Sequence, residues 1–179
     1  MLANSPVELV TLDRWPELAA PEETGATFEE NARLKARYYA GATGMTTVAE
    51  DSGLEIDALG AAPGVESARF GGVDTLYPQK FAMLYERLRA SGSSVWTARF
   101  VCALALVDGQ RVLFETRGTV EGVIAPEPRG QGGFGYDPIF FYPPFGRTMA
   151  EVGERKSEVS HRAAAFRQLA AWLALRPNA

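Results

Sequence analysis

Residues 96–116 read W-T-A-R-F-V-C-A-L-A-L-V-D-G-Q-R-V-L-F-E-T, and this stretch decides the architecture. Trp96, Ala98, Phe100, Cys102, Leu104 and Leu106 recur at every second position, the period that puts side chains on one face of a strand. Asp108-Gly109 is a tight-hairpin signal, so residues 96–107 and Arg111–Thr116 form two long antiparallel strands, and Thr119–Ile124 continues as strand. Upstream, Phe81, Leu84, Tyr85 and Leu88 keep helical spacing within Tyr77–Ala90, and Gly92 stops that helix. Further upstream, Thr27 and Glu30 stand at capping-box spacing before a helix whose buried face carries Phe28, Ala32, Ala36 and Tyr39, and Gly44 closes it. Thr46–Ala49 reads as a buried strand that delivers Glu50, Asp51 and Ser52 at its carboxyl end. Val7–Leu12 reads as a short strand, and a last helix begins at Ser157 with Val159, Ala163, Phe166, Leu169, Ala170 and Leu173 inward. Helices and strands thus share the chain.

At 179 residues and 46% hydrophobic content, residues 1–179 are read as one domain with a substantial core. A net charge of −4 argues against nucleic acid as the main partner, because backbone phosphates demand clustered Lys and Arg. Cys102 lies within an apolar run and reads as buried filler, so no disulfide framework is available within the chain. The absence of a long apolar run or a signal-like start leads to the expectation of a cytoplasmic protein with no membrane partner.

Three groups of residues carry chemistry. Gln131–Tyr142, Q-G-G-F-G-Y-D-P-I-F-F-Y, surrounds Phe134 with glycines; these permit close backbone approach, while Phe134 and Tyr136 offer faces to a planar ring. An ordinary glycine-rich turn before a buried strand accounts for the same residues. The second group is the acid pair Glu50-Asp51, with Glu17, Glu22 and Glu23 as further candidates in the loop before the first helix. With His161 the sole histidine, a metal site has to use oxygen ligands, which favours Mg²⁺ or Mn²⁺. The third is K-S-E-V-S-H-R, Lys156–Arg162, where cationic side chains at a helix start suggest an anion site. A planar base, a metal and a polyphosphate together satisfy all three.

The chain resembles the inosine triphosphate pyrophosphatases, which convert deaminated purine nucleoside triphosphates to monophosphate and pyrophosphate. The matching stretches are E-E-T-G-A-T-F-E-E-N-A-R-L-K-A (Glu22–Ala36), E-D-S-G-L (Glu50–Leu54), P-G-V-E-S-A-R-F (Pro63–Phe70), G-G-F-G-Y-D-P-I-F (Gly132–Phe140) and K-S-E-V-S-H-R. The resemblance implies hydrolysis of dITP, ITP and XTP, and an α/β fold in which an elongated mixed β-sheet is flanked by helices, with a cleft between two lobes, in a homodimer. It implies that Asp51 holds Mg²⁺ and accepts the proton of the attacking water, with Glu50 beside it and Glu17 as a second metal carboxylate. It further implies that Ser52, Phe134, Gly135, Tyr136, Asp137, Lys156, His161 and Arg162 contact the nucleotide.

The family pattern also begins with a strand and a T-G-N-x-x-K-like phosphate loop that has no counterpart here, and Met1–Leu12 matches the end of the helix after that loop and the second strand. Weak triphosphate binding and poor turnover are the corresponding expectation. Two rival readings remain at this point: a non-catalytic or impaired nucleotide-binding remnant, and a Maf-like pyrophosphatase for other modified nucleotides.

Overall fold

The computed structural model describes residues 7–176. Helix α1 spans Phe28–Thr43, strand β1 Thr47–Ile56, α2 Tyr77–Ala90, β2 Thr97–Asp108 and β3 Arg111–Ile124. Short strands β4 (Phe140–Tyr142) and β5 (Arg147–Thr148) come next, then α3 (Lys156–Val159) and α4 (His161–Ala174). The strands form one five-stranded sheet in the order β1-β2-β3-β4-β5. Antiparallel pairing sets Val123 opposite Phe141 and Phe141 opposite Thr148.

Local chemistry explains the helices. The Thr27 hydroxyl accepts from the Glu30 N–H at 3.1 Å, and the Glu30 carboxylate accepts from the Ala26 N–H at 2.7 Å. These bonds satisfy donors that a helix start leaves open. Gly44 ends α1 in the left-handed region at φ 71°, its N–H donating to the Ala40 carbonyl, a conformation that side chains with a Cβ avoid. Helix α2 has the boundaries its spacing predicts and buries Phe81, Leu84, Tyr85 and Leu88.

Three expectations need correction. Val7–Leu12 is not a strand: Leu12–Arg14 turns into a 3-10 helix, while Val7 and Leu9 line an apolar cavity of about 280 Å³ with Met45, Val48, Leu106 and Trp172. Alternating apolar residues become a strand only where a neighbour completes the hydrogen-bond ladder. Secondly, β1 runs through Glu50-Asp51-Ser52 to Ile56, so these residues are inside the strand and not at its end. Ser52-Gly53, which reads as a turn after the acid pair, lies within β1, and a Cβ on Gly53 would strike the Ser67 side chain, so glycine here admits a close neighbour. Thirdly, the last helix is broken at Ser160, whose ψ of 151° is extended.

The chain folds as two compact units. One comprises residues up to Asp51, Cys102–Gly118 and residues from Arg162 onward. Its core sets Cys102, Leu104 and Leu106 against Ala165, Leu169 and Leu173 of α4, with Phe114 and Trp172 packed at a ring distance of 5.4 Å. Cys102 is fully buried, and burial pushes its thiol well above the usual range, as befits filler.

The other unit comprises Ser52–Val101 and Thr119–His161. Its core holds Leu54, Ile56, Leu84, Leu88, Ile139 and Met149, and Phe100 stacks on Phe140 at 4.3 Å. Inside it, the Tyr85 hydroxyl donates to the Ala125 carbonyl at 2.9 Å. Burial raises the Tyr85 phenol from 10.0 to about 12. A phenol whose folded value lies above its unfolded one contributes stability that is complete below pH 10 and lost as pH rises from 10 to about 12, about 2–3 kcal/mol for such a shift. Tyr85→Phe therefore flattens that alkaline loss, and at pH 7 it costs about 1–3 kcal/mol by leaving a buried carbonyl unpaired. Urea unfolding of both proteins at pH 7, 10 and 11.5 checks this; equal alkaline slopes would contradict it.

Candidate active site

The catalytic candidate Asp51 is 8% exposed and held from α1. Its Oδ1 accepts from Lys35 Nζ at 2.8 Å and its Oδ2 from Asn31 Nδ2 at 3.1 Å. Lys35 Nζ also donates to Glu23 Oε1 at 2.7 Å, so one ammonium lies between two carboxylates. Asn31 is itself fixed, because its Oδ1 accepts from the Gly25 N–H at 2.7 Å. Burial raises the Asp51 carboxyl above the ordinary aspartate value, Lys35 and Asn31 oppose that shift, and the charge of Glu23 adds to it. Lys35 is held above its ordinary value by the same two acids against the opposing effect of burial.

Successive residues of a strand point to opposite faces, and that alternation separates the predicted acid pair. Whereas Asp51 meets α1, Glu50 Oε1 accepts from Arg162 Nε of α4 at 2.9 Å and Glu50 Oε2 is 3.5 Å from Cys102 Sγ. Glu17 is exposed and makes no hydrogen bond to the Asp51 group. Of the loop glutamates it is Glu23 that shares a cation with Asp51. The sequence reading passes over Asn31 and Lys35, although a detectable signal exists. They stand four apart on α1, beside the apolar face of Phe28, Ala32 and Ala36, where a polar residue needs a partner.

The second group belongs to the glycine loop. Asp137 is 2% exposed; its Oδ2 accepts from the Phe134 N–H at 2.8 Å and forms an ion pair with Lys156. Lys156 Nζ lies 4.3 Å over the Phe134 ring, which is 63% exposed. Tyr136 differs from its expected role as a stacking face. It is buried, its hydroxyl donates to the Ser67 carbonyl at 2.8 Å, and its ring packs perpendicular to that of Tyr77 at a centroid distance of 5.3 Å. The same burial pushes the Tyr136 phenol far upward. Phe134 is thus the ring that offers a face. Gly135 adopts φ 64° beside it, and Ser52 is half-buried in β1.

Gly133 accommodates protein atoms in the first instance. At φ 74° it lies in the left-handed region, and a Cβ there would overlap the Asp137 carboxylate. Gly133→Ala is expected to cost about 2–4 kcal/mol, summing left-handed backbone strain and a forced side-chain shift. Thermal unfolding reads this directly, and an unchanged midpoint would refute it.

The Lys156–Arg162 segment is also not the start of one helix carrying three uncompensated cations. Lys156 lies in a one-turn helix and pairs with Asp137, and Arg162 opens α4 and pairs with Glu50. His161 is 6% exposed and stacks on Phe100 at 5.1 Å.

Residues 1–172 match the profile of the Ham1 family. The chain belongs to the Ham1 family. Among Ham1 relatives, a Listeria monocytogenes protein named dITP/XTP pyrophosphatase is 47% identical over 171 residues, covering 94% of this chain and 84% of the relative. A Thermus thermophilus protein of the same name is 52% identical over 155 residues, 85% of this chain and 73% of that one. The solved structure of a HAM1 protein from Coxiella burnetii has a TM-score of 0.86 at 42% identity, covering 89% of this chain and 82% of that one. The α/β class is the fold of this Ham1 chain. Among the described residues no helix is long and apolar enough to cross a membrane.

Proposed function

We propose that the chain hydrolyses the deaminated purine nucleoside triphosphates dITP, ITP and XTP to the monophosphate and pyrophosphate. The observation that carries this reading is the buried Asp51 carboxylate, tied to Lys35 and Asn31 with Glu23 on the same ammonium, in a chain 47% identical to a dITP/XTP pyrophosphatase. Asp51 accepts a proton from water as the water oxygen bonds to phosphorus and the bridging P–O bond breaks, with pyrophosphate leaving. A raised aspartate value makes this carboxylate a better proton acceptor than an ordinary one. Asn31 and Lys35 keep it aimed, a positional contribution that phosphoryl chemistry rewards.

The same donors fit a hard divalent cation. Asp51 and Glu23 supply oxygens that already share one positive group, and such oxygens suit Mg²⁺ or Mn²⁺. When bound, the metal supplies charge neutralisation on the polyphosphate. In this reading Glu23 takes the place expected of Glu17. Phe134 stacks the base, and Lys156, beside that ring, offers a donor. A donor aimed at the purine 6-carbonyl rejects adenine, whose 6-amino group leaves it unpaired.

The test is pyrophosphate release from dITP and dATP by the full chain with Mg²⁺. Release from dITP at a rate at least about 100-fold above dATP is the expected result. Equal rates on the two, or no release from dITP, would overturn the proposal.

A further inference from the structure

We propose that Glu50 is a positioning residue that sets the guanidinium of Arg162 for nucleotide binding, and that it is not a ligand of the metal. This rests on the hydrolytic reading above and on the nucleotide contact that the resemblance implies for Arg162, and the controls below separate the activity from the coupling.

Both carboxylate oxygens of Glu50 are engaged on the face away from Asp51. Oε1 accepts from Arg162 Nε at 2.9 Å, and Oε2 is within sulfur hydrogen-bond reach of Cys102 at 3.5 Å. The two charged side chains are 26% and 30% exposed, sheltered enough for the pairing to matter more than an exposed surface pair does. Arg162 stands in the first turn of α4, a helix end that repels cations. Left alone, a long cationic side chain there turns toward water. A carboxylate at Nε offsets the repulsion and fixes the plane of the guanidinium, which confers directional recognition of anionic oxygens. The acid comes from β1 and the base from α4, residues 112 apart in sequence, so the pair is a tertiary device.

Neighbouring acids on a strand read naturally as two ligands of one metal, and the structure distinguishes them. The Lys35 ammonium that bridges Asp51 and Glu23 marks where positive charge is held on the α1 face, and Glu50 takes no part in that contact. Its hydrogen-bond partners fix its direction instead.

The test uses Glu50→Gln, Glu50→Asp, Arg162→Lys and Glu50→Gln/Arg162→Lys. Calorimetry of dIMP binding in EDTA-containing buffer reads the nucleotide contact with no metal present. Glu50→Gln is expected to weaken dIMP about tenfold, Glu50→Asp to fall between it and the native protein, and the double variant to be no weaker than Arg162→Lys alone. In dITP turnover, Glu50→Gln raises KM about tenfold, lowers kcat less than threefold and leaves the Mg²⁺ concentration for half-maximal rate within twofold. Native dIMP affinity in Glu50→Gln, a further loss when it is added to Arg162→Lys, or a severalfold higher Mg²⁺ requirement each overturns the role. Melting curves confirm that every variant is folded, and Glu50→Asp, which retains the charge, carries the comparison if Glu50→Gln is not. A native chain that releases no pyrophosphate while still showing the dIMP pattern removes the proposed activity and not the Glu50–Arg162 coupling.

Discussion

Asp51→Asn lowers pyrophosphate release from dITP by about 10³-fold or more while leaving the melting temperature unchanged or higher. In the proposed mechanism the loss comes from removing the negative charge that takes the proton of water, a role worth about 10²–10⁴-fold on its own and more where the same carboxylate holds a metal. The stability half has the opposite sign and comes from the same physical fact. Burial raises the Asp51 carboxyl, which means that the fold favours its neutral form over its charged one. An amide of nearly identical shape removes the buried charge; its one oxygen keeps one of the two donors, Lys35 Nζ or Asn31 Nδ2, its NH2 faces the other, and relief of the burial cost offsets that lost bond. Lys35 is not abandoned, because Glu23 Oε1 stays 2.7 Å from its Nζ. A group that costs stability and yields rate is the signature of a functional site. Activity assays and melting curves in metal-free buffer read the two halves separately. Retention of activity within tenfold would remove Asp51 from its role, and a melting temperature lowered by several degrees would show that the Lys35 and Asn31 bonds outweigh the cost of burial.

The features legible in the sequence are local ones. Thr27, Glu30 and Gly44 bracket α1 because capping and left-handed closure involve residues within a turn of one another. The 77–90 helix and the 108–109 hairpin are equally readable, since periodicity and turn chemistry are short-range. Glu50-Asp51 stands out as an acid pair after Thr46–Ala49, but its place inside a strand does not, because Gly53 reads as a turn residue until Ser67 is known to crowd it. Once β1 continues through Asp51, the alternation of faces parts Glu50 from its neighbour, and the pairing of Glu50 with Arg162 then depends on α4 lying on that face. Partners at such separations leave no pattern in the chain. Ser160 illustrates the converse, because apolar spacing on both sides of it reads as one helix although its backbone is extended.

Asp137→Ala is expected to destabilise the protein by about 3–5 kcal/mol and, where the variant remains folded, to raise the KM for dITP. The carboxylate is 2% exposed and serves two donors at once, the Phe134 N–H at 2.8 Å and the Lys156 ammonium, whose side chain is 17% exposed. Removing one partner of a buried ion pair leaves the other charge without compensation, which costs more than the pair contributes. An orphaned N–H adds its own penalty, and Gly133, held at φ 74° with the carboxylate against it, loses the contact that fixes the turn. Asp137→Asn separates the contributions, since its amide oxygen still accepts from Phe134 but no longer neutralises Lys156. Its expected cost is about 1–3 kcal/mol. Lys156→Met alone leaves a buried anion, whereas Asp137→Asn/Lys156→Met leaves neither charge, so the double variant should be more stable than the two single losses sum to. Function depends on the same geometry: Lys156 lies over the Phe134 ring because Asp137 anchors both ends of that contact. If Phe134 stacks the base as proposed, a loosened Phe134 face weakens nucleotide binding and leaves the chemical step untouched, so KM rises more than kcat falls. Urea unfolding of these variants and the native protein, with dITP kinetics of those that fold, checks the two claims, and additive energies or a loss confined to kcat would refute them.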